Sequence, residues 1–243
     1  MSGDSVVVGT ASFQEADGGS IPTSPLHSPR RYQPKDVVVR PIPHPIARKF
    51  CETKHYLRSY PGGSLLCFGV FAGTPLLGVA VLGVGPANIH RMFESAQPHQ
   101  VVCLSRFWLD DRLGRNSESR VLSVILRQLR KHQSSIKAVV AYSDPMAGHD
   151  GTIYRAAGFT YLGMSTAMPR YRLPDGRTYH SRSLSHAYGT HSVKHFLQHG
   201  VQVDLVQQSA KLTYVAFIDS TWQERLKVPP SPYPKGEVSN ADC

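Results

Sequence analysis

Residues 101–144 read VVCLSRFWLDDRLGRNSESRVLSVILRQLRKHQSSIKAVVAYSD, and their periodicity decides the fold. VVCLSRFWL, 101–109, is an apolar run interrupted by Ser105 and Arg106, of strand length and composition. From Asn116 or Ser117, either of which can cap a helix, Val121, Leu122, Ile125 and Leu129 recur on one helical face. IKAVVAYSD, 136–144, is a nearly continuous apolar run of the kind a strand buried on both faces shows. Strand, helix, strand in 44 residues predicts an α/β domain.

Working outward, DVVVRPI (36–42) predicts a short strand and HPIARKFCETKHY (44–56) a helix with Ile46, Ala47, Phe50 and Cys51 on one side. Residues 64–89 carry no charge and are long enough to span a bilayer. Gly73, Thr74 and Pro75 break them into two short apolar halves, so a buried hairpin is expected and no membrane partner. An exposed apolar face on that hairpin would leave a homodimer open. Downstream, TIYRAAGF reads as a helix ended at Gly158, and TYLGMST and KLTYVAFID as strands.

The chain has 243 residues, with 41% hydrophobic content that supports a packed core. Residues 1–34 and 228–243 are rich in Ser, Pro and Gly without an apolar period and are expected to be a flexible arm and tail. The domain is expected over 35–227. Cysteines at 51, 67, 103 and 243 lack C-x-x-C spacing and are too few to staple a protein this size, so a reduced, cytoplasmic setting is expected. The opening MSGDSVVVGT has no basic segment ahead of an apolar one and does not read as a secretory signal.

Lys and Arg number 27 against 17 acids, a net charge of +10. The excess is clustered. Residues 30–58 hold eight cations and two acids, and residues 170–211 hold Arg170, Arg172, Arg177, Arg182, Lys194 and Lys211 against Asp175 and Asp204, with five histidines. A polyanion is the expected partner, and the plainer alternative is a solvated basic face.

The element order is strand, helix, three strands, helix, strand, helix, strand and strand. It is that of the GNAT acyltransferase fold: a mixed, mostly antiparallel sheet flanked by helices, here with a basic insertion before the last strand. In that fold the strands before and after the central helix splay apart, and the acyl-CoA pyrophosphate sits at the helix N-terminus. Three pieces, KHY (54–56), LSRFWLDDRLGRNSES (104–119) and AYSDPMAGHDGTIYRAAGF (141–159), resemble the Mom family of bacteriophage DNA modification proteins. The resemblance implies a GNAT-like enzyme of the host cytoplasm that attaches a small carbamoyl-type group, from a small-molecule donor, to the exocyclic amine of adenine in double-stranded DNA. Such a product shields phage DNA from host restriction. The matched positions imply an active site of His55, Tyr56, Arg106, Ser119, Asp144 and Tyr154.

Each position has a plainer alternative. Arg106 and Asp144 could face each other as a structural ion pair, Tyr154 could be a core residue with a wet hydroxyl, Ser119 could only cap its helix, and His55 and Tyr56 could be a surface pair at a helix end. Arg115, Asn116 and Ser117 stand where a pyrophosphate loop belongs, with Arg115 in place of a glycine and Glu118 repelling a phosphate. The resemblance also implies iron, for which His55, Tyr56, Asp144 and His149 supply ligand types, though no H-x-x-x-H spacing ties any two of them. Arg170, Arg172, Arg177 and Arg182 are the expected DNA contacts. Two other functions stay open, an acyl-CoA-dependent N-acetyltransferase of a small amine or protein and a non-catalytic DNA-binding module on a GNAT-like shell.

Overall fold

A computed structural model describes residues 31–234 apart from 168, 175, 181–183, 185–187, 191 and 208–209. The arm as far as residue 30 and the tail from 235 lie outside the described residues.

The expected elements form a seven-stranded sheet in the order β1-β2-β3-β4-β5-β10-β6. Its strands are β1 (Val37–Pro41), β2 (Ser64–Ala72), β3 (Leu76–Gly83), β4 (Val101–Leu109), β5 (Ala138–Ser143), β6 (Thr160–Met164) and β10 (Leu212–Phe217). Every pairing is antiparallel except β4 with β5. The helices are α1 (His44–Lys54), α2 (Ser117–His132) and α3 (Thr152–Ala156).

The apolar stripe of α2 places Val121, Leu122, Ile125, Leu126 and Leu129 in the main core, over Val102, Leu104 and Val139 of the sheet. Leu129 is fully buried, so truncation to alanine should cost about 2–5 kcal/mol. The opposite face of β2 to β4 is covered by α1 through Ala47 and Cys51 on Cys67, Val79 and Val81. The uncharged stretch is therefore a hairpin whose two faces pack against α2 and α1 of its own chain. Among the described residues no helix is long and apolar enough to cross a membrane.

β4 and β5 pair only from Val101↔Ala138 to Leu104↔Ala141. Beyond that, β4 continues to Leu109 on β3, while β5 continues to Ser143 on β10. The two central strands thus part beyond Leu104 and Ala141 and open a cleft between them.

The long insertion carries structure of its own. β7 (Pro169–Arg172), β8 (Thr178–His180) and β9 (Asp204–Gln207) form a second sheet in the order β8-β7-β9, joined by α4 (Val193–Gln198). Tyr171, Leu173, Leu184, Phe196 and Val203 give it a separate core. Inside the stretches read as arm and tail, Tyr32 bridges Leu113, and Ser231 N–H donates to the Tyr161 carbonyl while Tyr233 stacks on the Tyr161 ring.

Candidate active site

The cleft gathers side chains from segments far apart in sequence, and Arg106 reaches it through a register shift. Val81 pairs with Arg106 but Leu82 with Leu104, so Ser105 is an extra residue in β4. Strict alternation from Leu104 would turn Arg106 toward α2. The extra residue reverses the phase, as bulges do. Phe107 and Leu109 then join the α2 side, Trp108 meets Phe50 of α1, and Arg106 lies on the α1 side with Cys51. Its guanidinium donates from Nε to the Ser59 carbonyl (3.0 Å), from Nη2 to Ser59 Oγ (3.1 Å) and from Nη1 to the Ser105 carbonyl (2.7 Å).

α1 ends at His55, whose backbone turns out of the helix. The His55 Nδ1 accepts from the Leu57 N–H at 3.1 Å, so a neutral imidazole carries its proton on Nε2. His55 is buried, and burial, with Arg106 and His149 adding to it, pulls its pKa from 6.5 to about 4. At neutral pH it is uncharged. Tyr56 stacks on it with ring centroids 4.5 Å apart, stays half exposed, and lies 5.6 Å from the His149 ring. Burial and the Asp144 charge push the Tyr56 phenol above its ordinary pKa, so it keeps its proton.

Asp144 ends β5. Its carboxylate accepts the Met146 N–H at 3.1 Å and lies 3.7 Å from Lys211 Nζ. Arg106 is thus bonded to Ser59 and Ser105, and Lys211 stands beside Asp144. The loop after Asp144 closes on α3. The Tyr214 hydroxyl donates to the Asp150 carbonyl at 3.1 Å, and Gly151 has φ +78° with no room for a Cβ, which would land on that hydroxyl. Tyr154 is buried in the main core against Phe159 and Tyr214. Burial, with Cys103 and Tyr56 nearby, raises its phenol pKa strongly.

The start of α2 is a different locality. Asn116 is left-handed (φ 69°) and makes no side-chain cap, Arg115 is exposed, and the Ser119 hydroxyl donates to the Asn116 carbonyl at 3.2 Å. The Ser117 Oγ is buried without a hydrogen-bond partner. Yet the Gly114 N–H donates to the Tyr32 carbonyl (2.8 Å) and the Ser117 N–H to the Gly114 carbonyl (3.1 Å). Two amides that a pyrophosphate loop would present are already engaged, and Arg115 replaces the glycine. These residues do not fit the coenzyme A pyrophosphate.

Iron fits no better. Among the described residues no group of three or more His, Cys, Asp or Glu is arranged to hold a metal ion, and His55 Nδ1 is engaged by Leu57. The implied ligand types come together here as a ring stack and an ion pair.

On the insertion, Arg172 and Arg177 are exposed, whereas Arg170 is half-buried with its Nε enclosed and unpartnered. Arg182 lies outside the described residues. Reading the sequence missed Ser59 and Lys211. Lys211 counts in sequence among the cations of the basic insertion, but the register Leu212↔Ser143 brings it beside Asp144. The cluster combines a carboxylate, two cations, a neutral imidazole and a protonated phenol. Such a set can take a proton from an attacking amine, stabilise a developing oxyanion and protonate a leaving group.

A model of the Mom protein family matches residues 36–235. Methylcarbamoylase mom of Escherichia phage Mu is 31% identical over 215 residues, 84% of this chain and 86% of that protein. Among solved structures, aminoglycoside acetyltransferase AAC(6')-Ib in complex with coenzyme A and kanamycin is 12% identical, covering 77% of this chain and 98% of that one at a TM-score of 0.45. A Bacillus subtilis acetyltransferase in complex with CoA is also 12% identical, covering 74% and 98% at a TM-score of 0.41.

Proposed function

The chain belongs to the Mom protein family, and on that premise we propose that it is a phage DNA modification enzyme. It transfers a small carbamoyl-type group to the exocyclic amine of adenine in double-stranded DNA, in the host cytoplasm, and so shields that DNA from restriction. The observation that carries the reading is the convergence of His55 and Tyr56 from the end of α1, Arg106 from the shifted half of β4 and Asp144 from the end of β5 around one cleft.

The chemistry explains why those groups are wanted. The adenine amine is a poor nucleophile because its lone pair is delocalised into the ring, and in a duplex it is paired and stacked, so the base must be drawn out first. The N6 lone pair then attacks the donor's carbonyl carbon. Asp144 accepts the proton released from N6, Arg106 and Lys211 offset negative charge on the carbonyl oxygen, and the leaving group departs with the electron pair of the broken bond and a proton. Tyr56 gives that proton, because Tyr154 is enclosed in the core and Tyr56 is half open. His55 stays neutral and supports the Tyr56 ring, Tyr154 supports the cleft from below, and Ser119 serves the start of α2. The basic surface, including Arg172 and Arg177, holds the phosphates.

An N-acetyltransferase fed by coenzyme A is disfavoured by the engaged Gly114 and Ser117 amides, and a non-catalytic module needs no such cluster. The test is plasmid DNA from cells making the protein. Resistance to adenine-sensitive restriction enzymes supports the reading, and unaltered digestion of plasmid DNA from cells that express the protein well overturns it.

A further inference from the structure

We propose that Met146 enters the DNA base stack and fills the gap left when the target adenine is drawn into the cleft. The inference rests on the reading of the chain as an adenine-modifying enzyme.

Met146 is 76% exposed, more than any other large apolar side chain among the described residues. Scattered exposed apolar residues are ordinary; this one differs in where it stands and how firmly it is held. It lies two residues beyond Asp144, in a turn built on Asp144 itself. The Met146 N–H donates to the Asp144 carboxylate at 3.1 Å, the Ala147 and His149 N–H groups donate to the Asp144 carbonyl at 3.0 and 3.2 Å, and the Gly148 N–H donates to the Pro145 carbonyl at 3.0 Å. Pro145 fixes the backbone torsion just before it. Three residues on, His149 meets the Tyr56 ring. A short, braced turn therefore presents an unbranched apolar side chain at the mouth of the cleft, beside the carboxylate proposed to take the N6 proton.

An extracted base leaves a void lined by the faces of its former neighbours. Proteins that open base steps insert apolar side chains there, because a charged group would have to shed its water to do so. Methionine suits the role, being flexible enough to fill an irregular gap and polarisable enough to lie against aromatic rings. Arg106 and Lys211 at the cleft are committed to the reacting carbonyl and cannot substitute for it.

The test uses full-length protein and a duplex cut from a plasmid region that the wild-type protein modifies, with 2-aminopurine at the modified adenine. Its fluorescence rises when the base leaves the stack. Wild type should brighten the duplex, Met146→Leu should keep most of the effect, and Met146→Ala should lose it by about tenfold, as expected from the apolar area no longer buried. On a single strand of the same sequence, which has no duplex stack to refill, Met146→Ala should come within about twofold of wild type. Equal brightening of the paired duplex by wild type and Met146→Ala would overturn the proposal. So would an equal loss on duplex and single strand, which marks a damaged cleft. If wild type leaves plasmid adenine unmodified, the functional reading itself falls; if it modifies adenine and Met146→Ala opens the duplex undiminished, only the role of Met146 falls.

Discussion

Acid should destabilise this protein through His55. Its imidazole is 4% exposed, and burial, Arg106 and His149 hold its pKa near 4 against an ordinary 6.5. Between those values the unfolded chain binds a proton that the folded chain refuses. Stability therefore rises with pH across the window and is lost as pH falls through it. With these two pKa values, the penalty from His55 is about 0.2 kcal/mol at pH 7, about 2 kcal/mol at pH 5 and about 3 kcal/mol at pH 4. The perturbation is His55→Asn, whose side-chain oxygen can accept the Leu57 N–H but does not titrate. Urea denaturation of both proteins, followed by the fluorescence of Trp108 and Trp222, gives the stability difference at pH 7, 6 and 5. The wild-type advantage at pH 7 should shrink by about 2 kcal/mol by pH 5. A difference that stays constant within about 0.5 kcal/mol would refute the idea that the cleft holds His55 buried and uncharged.

Arg106→Lys should reduce modified adenine at least about tenfold although the charge remains, because one ammonium cannot reach Ser59 Oγ, the Ser59 carbonyl and the Ser105 carbonyl together. Nucleoside mass spectrometry reads this, and retained activity would mean that only charge matters. Gly151→Ala should lower the urea midpoint by the equivalent of about 1–2 kcal/mol or more, since a left-handed backbone and a clash with the Tyr214 hydroxyl add; an unchanged midpoint would contradict it. Replacing Arg172 and Arg177 together by Gln should flatten the plot of log DNA affinity against log salt by about two units with the melting temperature unchanged. An unaltered slope would move the DNA surface elsewhere, toward the basic stretch at 30–58.

The sequence carried the main elements because their patterns are local. β4 has the expected bounds, and the α2 stripe and the Gly73–Pro75 break stand where expected. What stayed hidden depends on register. The extra residue at Ser105 has no composition signal, yet it decides which face of the sheet Arg106 occupies. Lys211 sits 67 residues from Asp144 and reaches it only because β10 runs antiparallel to β5. Arg106 and Asp144 carry opposite charges on neighbouring strands, yet the hydrogen bonds of Arg106 go to Ser59 and Ser105, partners no local pattern shows. The second sheet of the insertion was missed because its strands are three or four residues long, too short for alternation to register. Tyr32 on the α2 loop was hidden by the Pro- and Ser-rich composition of its surroundings.

The most direct measurement is nucleoside mass spectrometry of plasmid DNA from cells making either the wild-type chain or Asp144→Ala, beside a thermal melt of each protein. Wild type should yield a new deoxyadenosine species heavier by a carbamoyl-type group. Asp144→Ala should yield none while melting close to wild type, since the carboxylate bonds to the turn at Met146 and pairs with Lys211, which is itself part-exposed. Unmodified adenine from the wild type, or the same yield from both proteins, would contradict adenine transfer at this cleft.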